Sequence, residues 1–278
     1  MPGSNGNLPI GAPPPRLATP EAFLCAHSYY SLGTGTASPQ SLVRRAAALG
    51  YRYLALTDHL SISGGVDLFE AARESGVKAL IGATVPVRID DEAFPVVLIA
   101  RSRMGYARLN TLLTVAHERE EKDVPWPVLL SHSEDLNLLT GGRRGFPTAY
   151  LARRRISELE KLLRELAGAF PGRLFVQLYH ERRRWDARRA RVLRRFAHGV
   201  GLPVIAAPPA HYLAPEDYRL HDALVCGRLG ITVDQPHPDR PRNRESHLLD
   251  PAELTSRLPF REAVLNANKL ARESHFEL

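Results

Sequence analysis

Short apolar runs separated by segments of helical periodicity recur along almost the whole chain, and this alternation limits the fold more than any other feature. Runs suited to strands cover Ala22–Ala26, Tyr53–Leu56, Lys78–Gly82, Val96–Ala100, Leu136–Leu139, Leu174–Leu178 and Val204–Ala206. Between them, Pro39–Leu49, Val66–Ser75, Gly105–Val115, Ile156–Ala167 and Asp186–Val200 place apolar residues at helical spacing. Ser38 precedes Pro39 as an N-cap with proline at the first helical position, and Gly50 and Gly76 stand where the first two helices stop. The strand runs are nearly all apolar, as expected of parallel strands covered by helices. Seven or so such units favour a barrel over an open sheet. Functional residues of such a barrel project from the C-terminal ends of its strands. Cys25, His27, His59 and His211 all fall at or just after expected strand ends.

The remaining sequence adds bounds. The 278 residues suffice for one large α/β domain, expected over residues 21–278 after a Pro-, Gly-, Ser- and Asn-rich leader at residues 1–20. Two cysteines, Cys25 and Cys226, make no disulfide framework, so a reducing, cytoplasmic setting is expected. No apolar run approaches the length of a membrane span, and the N-terminus has no secretory pattern. The net charge of +7 admits an acidic partner. Only four of the 37 basic residues are lysines, a skew that genome composition also produces. The stretch Glu181–Arg195 alone holds eight arginines. As a helix it would turn Val192, Leu193 and Phe196 to the core and most arginines to solvent. A solvated face is the plain reading. The functional one is contact with nucleic-acid phosphates through Arg188, Arg189 and Arg191, with Trp185 stacking on a base or an interface.

Several stretches together resemble one family. His27-Ser28-x-Tyr30-Ser31 is like HSDYS, and Leu54-Ala55-Leu56-Thr57-Asp58-His59 is like LALTDH. Gly76-Val77-Lys78-Ala79-Leu80-Ile81-Gly82 is like GIKPIIG. Ser133-Glu134-Asp135-Leu136 with Leu139-Thr140-Gly141 is like SEGL…LSGC. His211-Tyr212-Leu213-x-Pro215-Glu216-Asp217, followed by His221-Asp222-Ala223-Leu224-x-Cys226, is like HYL-PED…HDVLLC, and Ala271–Leu278 is like AERCNFEL. The chain thus resembles the PHP (polymerase and histidinol phosphatase) domain, in the version found at the N-terminus of bacterial DNA polymerase III alpha subunits. The resemblance runs from about Phe23 to Leu278. It implies an α/β fold of the PHP type, a distorted (β/α)7 TIM-like barrel, and it leaves the polymerase palm, fingers and thumb out of this chain.

An active PHP site, by this resemblance, holds three metals on nine His, Asp, Glu and Cys ligands and hydrolyses phosphoesters. Here Cys25 takes the first His position, and His27, His59 and His211 keep theirs. Thr34, Thr84, Pro95, Gly142 and Pro209 take positions where the family has ligands. The loss of carboxylates weighs most, since cations about 3.5–4 Å apart need anionic ligands between them. Asp58, beside His59, is expected to be structural. The implied cofactor is therefore none, or one Zn²⁺ on Cys25, His27, His59 and His211. The leading expectation is a non-catalytic replication or repair module that docks to polymerase or other replication and repair proteins. Two others stand beside it: a metal-dependent phosphoesterase or 3′–5′ exonuclease with a rebuilt site, and a DNA-binding module using the arginine-rich helix.

Overall fold

The computed structural model describes residues 18–277, so the expected leader lies outside the described residues except for its last three positions. Those three are tied to the fold: Ala18 rests against the core, Pro20 is buried, and the Thr19 carbonyl accepts a 2.9 Å bond from the Asn268 amide.

Eight strands are present among the described residues: β1 (Ala22–Ala26), β2 (Tyr53–Leu56), β3 (Lys78–Ile89), β4 (Glu92–Ala100), β5 (Val124–Pro125), β6 (Leu136–Leu139), β7 (Leu174–Leu178) and β8 (Val204–Ala206). They lie in the order β1-β2-β3-β4-β6-β7-β8, with β5 beside β3. The pairs β1–β2, β2–β3, β6–β7 and β7–β8 are parallel. The sheet curls until its ends meet. His27 N donates to Ala210 O and Ala210 N donates to Cys25 O, both at 2.8 Å, which joins β1 to the segment after β8. The result is the expected distorted barrel.

The helices follow from local chemistry. α1 (Pro39–Ala48) starts where Ser38 Oγ accepts from Ser41 N, and α2 (Gly65–Ser75) ends at Gly76, whose φ of 72° a side chain would strain. α3 (Arg103–Glu118), α4 (Trp126–Ser131), α5 (Phe146–Ala152) and α6 (Ile156–Ala169) follow, then α7 (Asp186–Gly199), α8 (Tyr218–Leu229), α9 (Pro251–Arg257) and α10 (Arg261–Glu273). Apolar residues form two nested layers. Leu24, Ala55, Leu80, Ile99, Leu139 and Ile205 fill the barrel interior together with Leu270 and Ala271 of α10. The outer strand faces pack Phe23, Leu54, Leu98, Leu138 and Val176 against the helices. α10 is pinned across the N-terminal ends of β1 and β8: Asn268 Oδ1 accepts from Glu21 N, and Asn266 Nδ2 donates to Val204 O. The opposite end of the barrel is left as the mouth.

Two expectations need correction. The strands expected at Lys78–Gly82 and Val96–Ala100 are instead long arms of one hairpin, and β4 runs antiparallel to both β3 and β6. Val85, Val87 and Ile89 are buried while Thr84, Pro86 and Arg88 are not, a period of two that marks a one-sided strand continuing past Gly82. Asp90, at φ 53°, makes the tight turn, so no crossover helix is needed. The second correction concerns α7. Its buried stripe is Asp186, Ala190, Leu193 and Ala197, whereas Val192 is 46% exposed. Val192 lies one residue off the helical repeat that the smaller alanines define.

Candidate functional site at the barrel mouth

The loop leaving β1 and the turn leaving β2 are tied by one carboxylate. Asp58 is buried and accepts from Ser28 N (2.6 Å), Ser28 Oγ (2.7 Å) and Ser31 Oγ (2.7 Å). Burial raises its pKa, and the Ser28 and Ser31 bonds oppose that rise. Ser31 Oγ accepts in turn from His59 N at 3.0 Å and lies 3.3 Å from His27 Nδ1. Its proton is committed to Asp58, so the network assigns a proton to His27 Nδ1 and leaves the lone pair on Nε2. Asp58 is therefore a structural knot, with three of its roughly four acceptor sites engaged.

Three imidazoles stack beside this knot. The His27 and His211 rings lie 4.7 Å apart at 24°, and His211 and His221 lie 5.1 Å apart at 7°. His221 is buried, and its Nδ1 donates to Thr34 O at 2.6 Å. The Nδ1 of His211 is buried without a hydrogen-bond partner. Burial lowers the pKa of all three, His27 to about 3, with mutual repulsion adding to the effect on His27 and His211. The stack is neutral at physiological pH. His59 stands at the rim with an exposed face. The protein packed around its ring, with the Arg228 and Arg144 guanidiniums, lowers its pKa too. Arg144 acts on His211 as well. Asp222 acts in the opposite sense on His221, and Arg144 is itself paired with Asp239 at 2.8 Å.

Cys25 does not join the stack. A register irregularity between Phe23 and Ala26 turns it inward beside Leu24. Burial pushes the thiol up to about 12, against weaker opposing bonds from Thr57 and Gln177. It is a thiol, not a thiolate, at neutral pH. Gln177 bridges this part of the mouth: its Oε1 accepts from Gly141 N at 3.0 Å, and its Nε2 donates to Ala207 O at 2.6 Å and reaches Cys25 Sγ at 3.5 Å. Thr84 Oγ1 donates to Thr57 O at 3.1 Å, a structural bond.

These side chains do not fit a multinuclear metal centre as placed. Imidazole donor lone pairs lie in the ring plane, so stacked rings direct them side by side, not at one point. Among the described residues, no group of three or more His, Cys, Asp or Glu side chains is arranged to hold a metal ion. His221 and Gln177 are the mouth residues that sequence reasoning left out of the site. The histidine was legible in the His221-Asp222-Ala223-Leu224 stretch. Nothing local marks the glutamine, which is one polar residue in an apolar strand.

Comparison with known proteins fits this architecture. The PHP domain profile matches residues 24–180, more than half of the chain, and the chain belongs to the PHP domain family. It is similar to the error-prone DNA polymerase of Symbiobacterium thermophilum, at 32% identity over 268 residues, covering 89% of this chain and 24% of that protein. It is also similar to DNA polymerase III subunit alpha of Escherichia coli strain K12, at 31% identity over 229 residues, covering 79% of this chain and 19% of that protein. The chain therefore spans about a fifth to a quarter of the length of these relatives. Among solved structures, a putative metal-dependent phosphoesterase from Bifidobacterium adolescentis aligns with a TM-score of 0.47 at 13% identity, over 87% of this chain and 98% of that one. No helix among the described residues is long and apolar enough to cross a membrane.

Proposed function

We propose that this chain is a PHP module of a DNA polymerase III alpha-like replication or repair system that docks to polymerase or other replication proteins without hydrolysing phosphoesters. The observation that carries this reading is the donor set of the mouth. Its one buried carboxylate, Asp58, is engaged by three donors, and among the described residues no group of three or more His, Cys, Asp or Glu side chains is arranged to hold a metal ion. A hydrolytic metal centre needs anionic ligands free to face the cations. Similarity to polymerase subunits supports the choice of partner. The test is hydrolysis of a generic phosphodiester and of single-stranded DNA with Zn²⁺, Mn²⁺ or Mg²⁺ supplied. The expected result is no turnover above that of a His27→Ala variant. Metal-dependent turnover abolished by His27→Ala or His59→Ala would replace the docking reading with the phosphoesterase or exonuclease one.

A second reading keeps one Zn²⁺ on His27, His59 and His211 with Cys25. It is favoured by the buried Nδ1 of His211, which has no hydrogen-bond partner and so keeps a nitrogen available for ligation. It requires the stacked rings to separate and the Cys25 thiol to ionise. Elemental analysis of protein purified without chelator and with zinc supplied decides it. One zinc per chain, lost in both Cys25→Ala and His211→Ala, establishes the site, and no stoichiometric metal removes it.

A further inference from the structure

The strongest unexplained feature lies away from the histidine stack, at the loop joining β7 to α7. Trp185 is 53% exposed, and it holds a left-handed φ of 74° at the N-cap of α7. An indole supplies no capping oxygen there, where Ser, Asp or Asn would stabilise the helix. Arg182, in the same loop, is also left-handed at φ 49°. Backbone strain of this kind on bulky residues is concentrated at functional positions. Two clefts flank the indole. One, of about 460 Å³, is lined by Arg188 and Arg191; the other, of about 700 Å³, by Arg143, Arg184, Arg189 and Arg242; Arg182 and Arg183 border both. The guanidiniums of Arg184 and Arg188 lie over the indole ring, 4.9 and 5.9 Å from its centre.

The arginines fall into two groups. Arg143, Arg183 and Arg189 pair with the buried carboxylates Glu181 and Asp186, and Arg182 pairs with Glu245 and Glu253; these shape the walls. Arg184, Arg188, Arg191 and Arg242 have no carboxylate partner among the described residues. The walls are fixed further by Asn243 Nδ2, which donates to Glu181 O at 2.7 Å. A rigid wall, a half-exposed indole and four arginines without a carboxylate partner among the described residues match alternating phosphates and unstacked bases. A duplex hides its base faces from an indole, whereas a single strand offers them along with its phosphates.

We infer that the Trp185 surface binds single-stranded polynucleotide, with a base stacked on the indole in place of one of the two guanidiniums that lie over it, and phosphates held by Arg184, Arg188, Arg191 and Arg242. This site is independent of whether the barrel mouth hydrolyses anything. The test is anisotropy of a labelled oligodeoxythymidylate of about 12 nucleotides, with an oligouridylate of equal length as a second arm to separate DNA from RNA. Four phosphate contacts should weaken binding about 50-fold between roughly 50 and 200 mM salt, and Arg188→Gln with Arg191→Gln should roughly halve the log–log slope. Trp185→Ala should weaken binding at least about fivefold while Trp185→Phe restores most of it. The chain has two tryptophans, so quenching should persist in Trp126→Phe and vanish in Trp185→Phe. Circular dichroism of these surface variants should match wild type. Absence of binding at low salt, affinity indifferent to Trp185→Ala, or equal competition by duplex DNA or polyglutamate would overturn the inference; the last would leave a charge-only surface for an acidic partner.

Discussion

The barrel mouth and the Trp185 surface lie at the same end of one fold and differ in almost every physical respect. At the mouth, the polar groups are closed on one another: Asp58 on two serines, Gln177 on two backbone groups, and three imidazoles on their own faces. At the Trp185 surface, buried acids hold only part of a large set of arginines, and the rest face solvent. The first region is built like an interior and the second like an interface. The same fold thus sets a closed polar network beside an arginine-rich face, and the two differ in how many of their polar groups are left for a ligand.

Breaking the mouth should cost stability, in descending steps. Asp58→Ala leaves three buried donors unsatisfied and should destabilise the fold by about 3–5 kcal/mol in chemical denaturation. If that loss is below about 1 kcal/mol, the carboxylate is not the knot described here. Acid should act nearly as strongly. His27 is neutral when folded and takes a proton near pH 6.5 when unfolded, so the unfolded state binds more protons between its folded value of about 3 and 6.5. Stability should therefore fall as pH drops through that window, by on the order of 3 kcal/mol at pH 4 relative to pH 7 from this residue alone. The raised pKa of Asp58 works in the opposite direction and trims the effect. A urea midpoint that does not move, or moves equally in His27→Gln, counts against the neutral stack.

Gln177→Ala should cost about 1–2 kcal/mol, because Gly141 N loses its acceptor and Ala207 O its donor. The smallest effect belongs to the other region. Arg188→Gln and Arg191→Gln should shift stability by less than about 0.5 kcal/mol while changing polynucleotide affinity severalfold. If they destabilise as much as Gln177→Ala, the contrast between the two regions collapses.

Much of the fold was legible because it depends on local patterns. The strands at Ala22–Ala26, Tyr53–Leu56, Leu136–Leu139, Leu174–Leu178 and Val204–Ala206 are as read from their apolar runs. The β3–β4 hairpin was misread because its outer half is one-sided, with prolines at Pro86 and Pro95 that look like breakers. The site was less legible. His27, His59 and His211 could be listed, but their stacking depends on how three separate loops meet. Cys25 was placed with them because it takes the first His position of the family motif at the end of a strand, and only the irregularity in β1 turns it toward Gln177, which lies 152 residues away.

The sequence by itself determined the alternating elements, the family, and which donors survive at the mouth, because these depend on residue type and short-range periodicity. The tertiary structure decided the direction of strand β4, the occupation of Asp58 by Ser28 and Ser31, the neutrality of the histidines, and the gathering of Arg143, Arg184 and Arg242 around Trp185. Each of those depends on desolvation, charge and contact between segments far apart in the chain, and these arise only when the barrel closes.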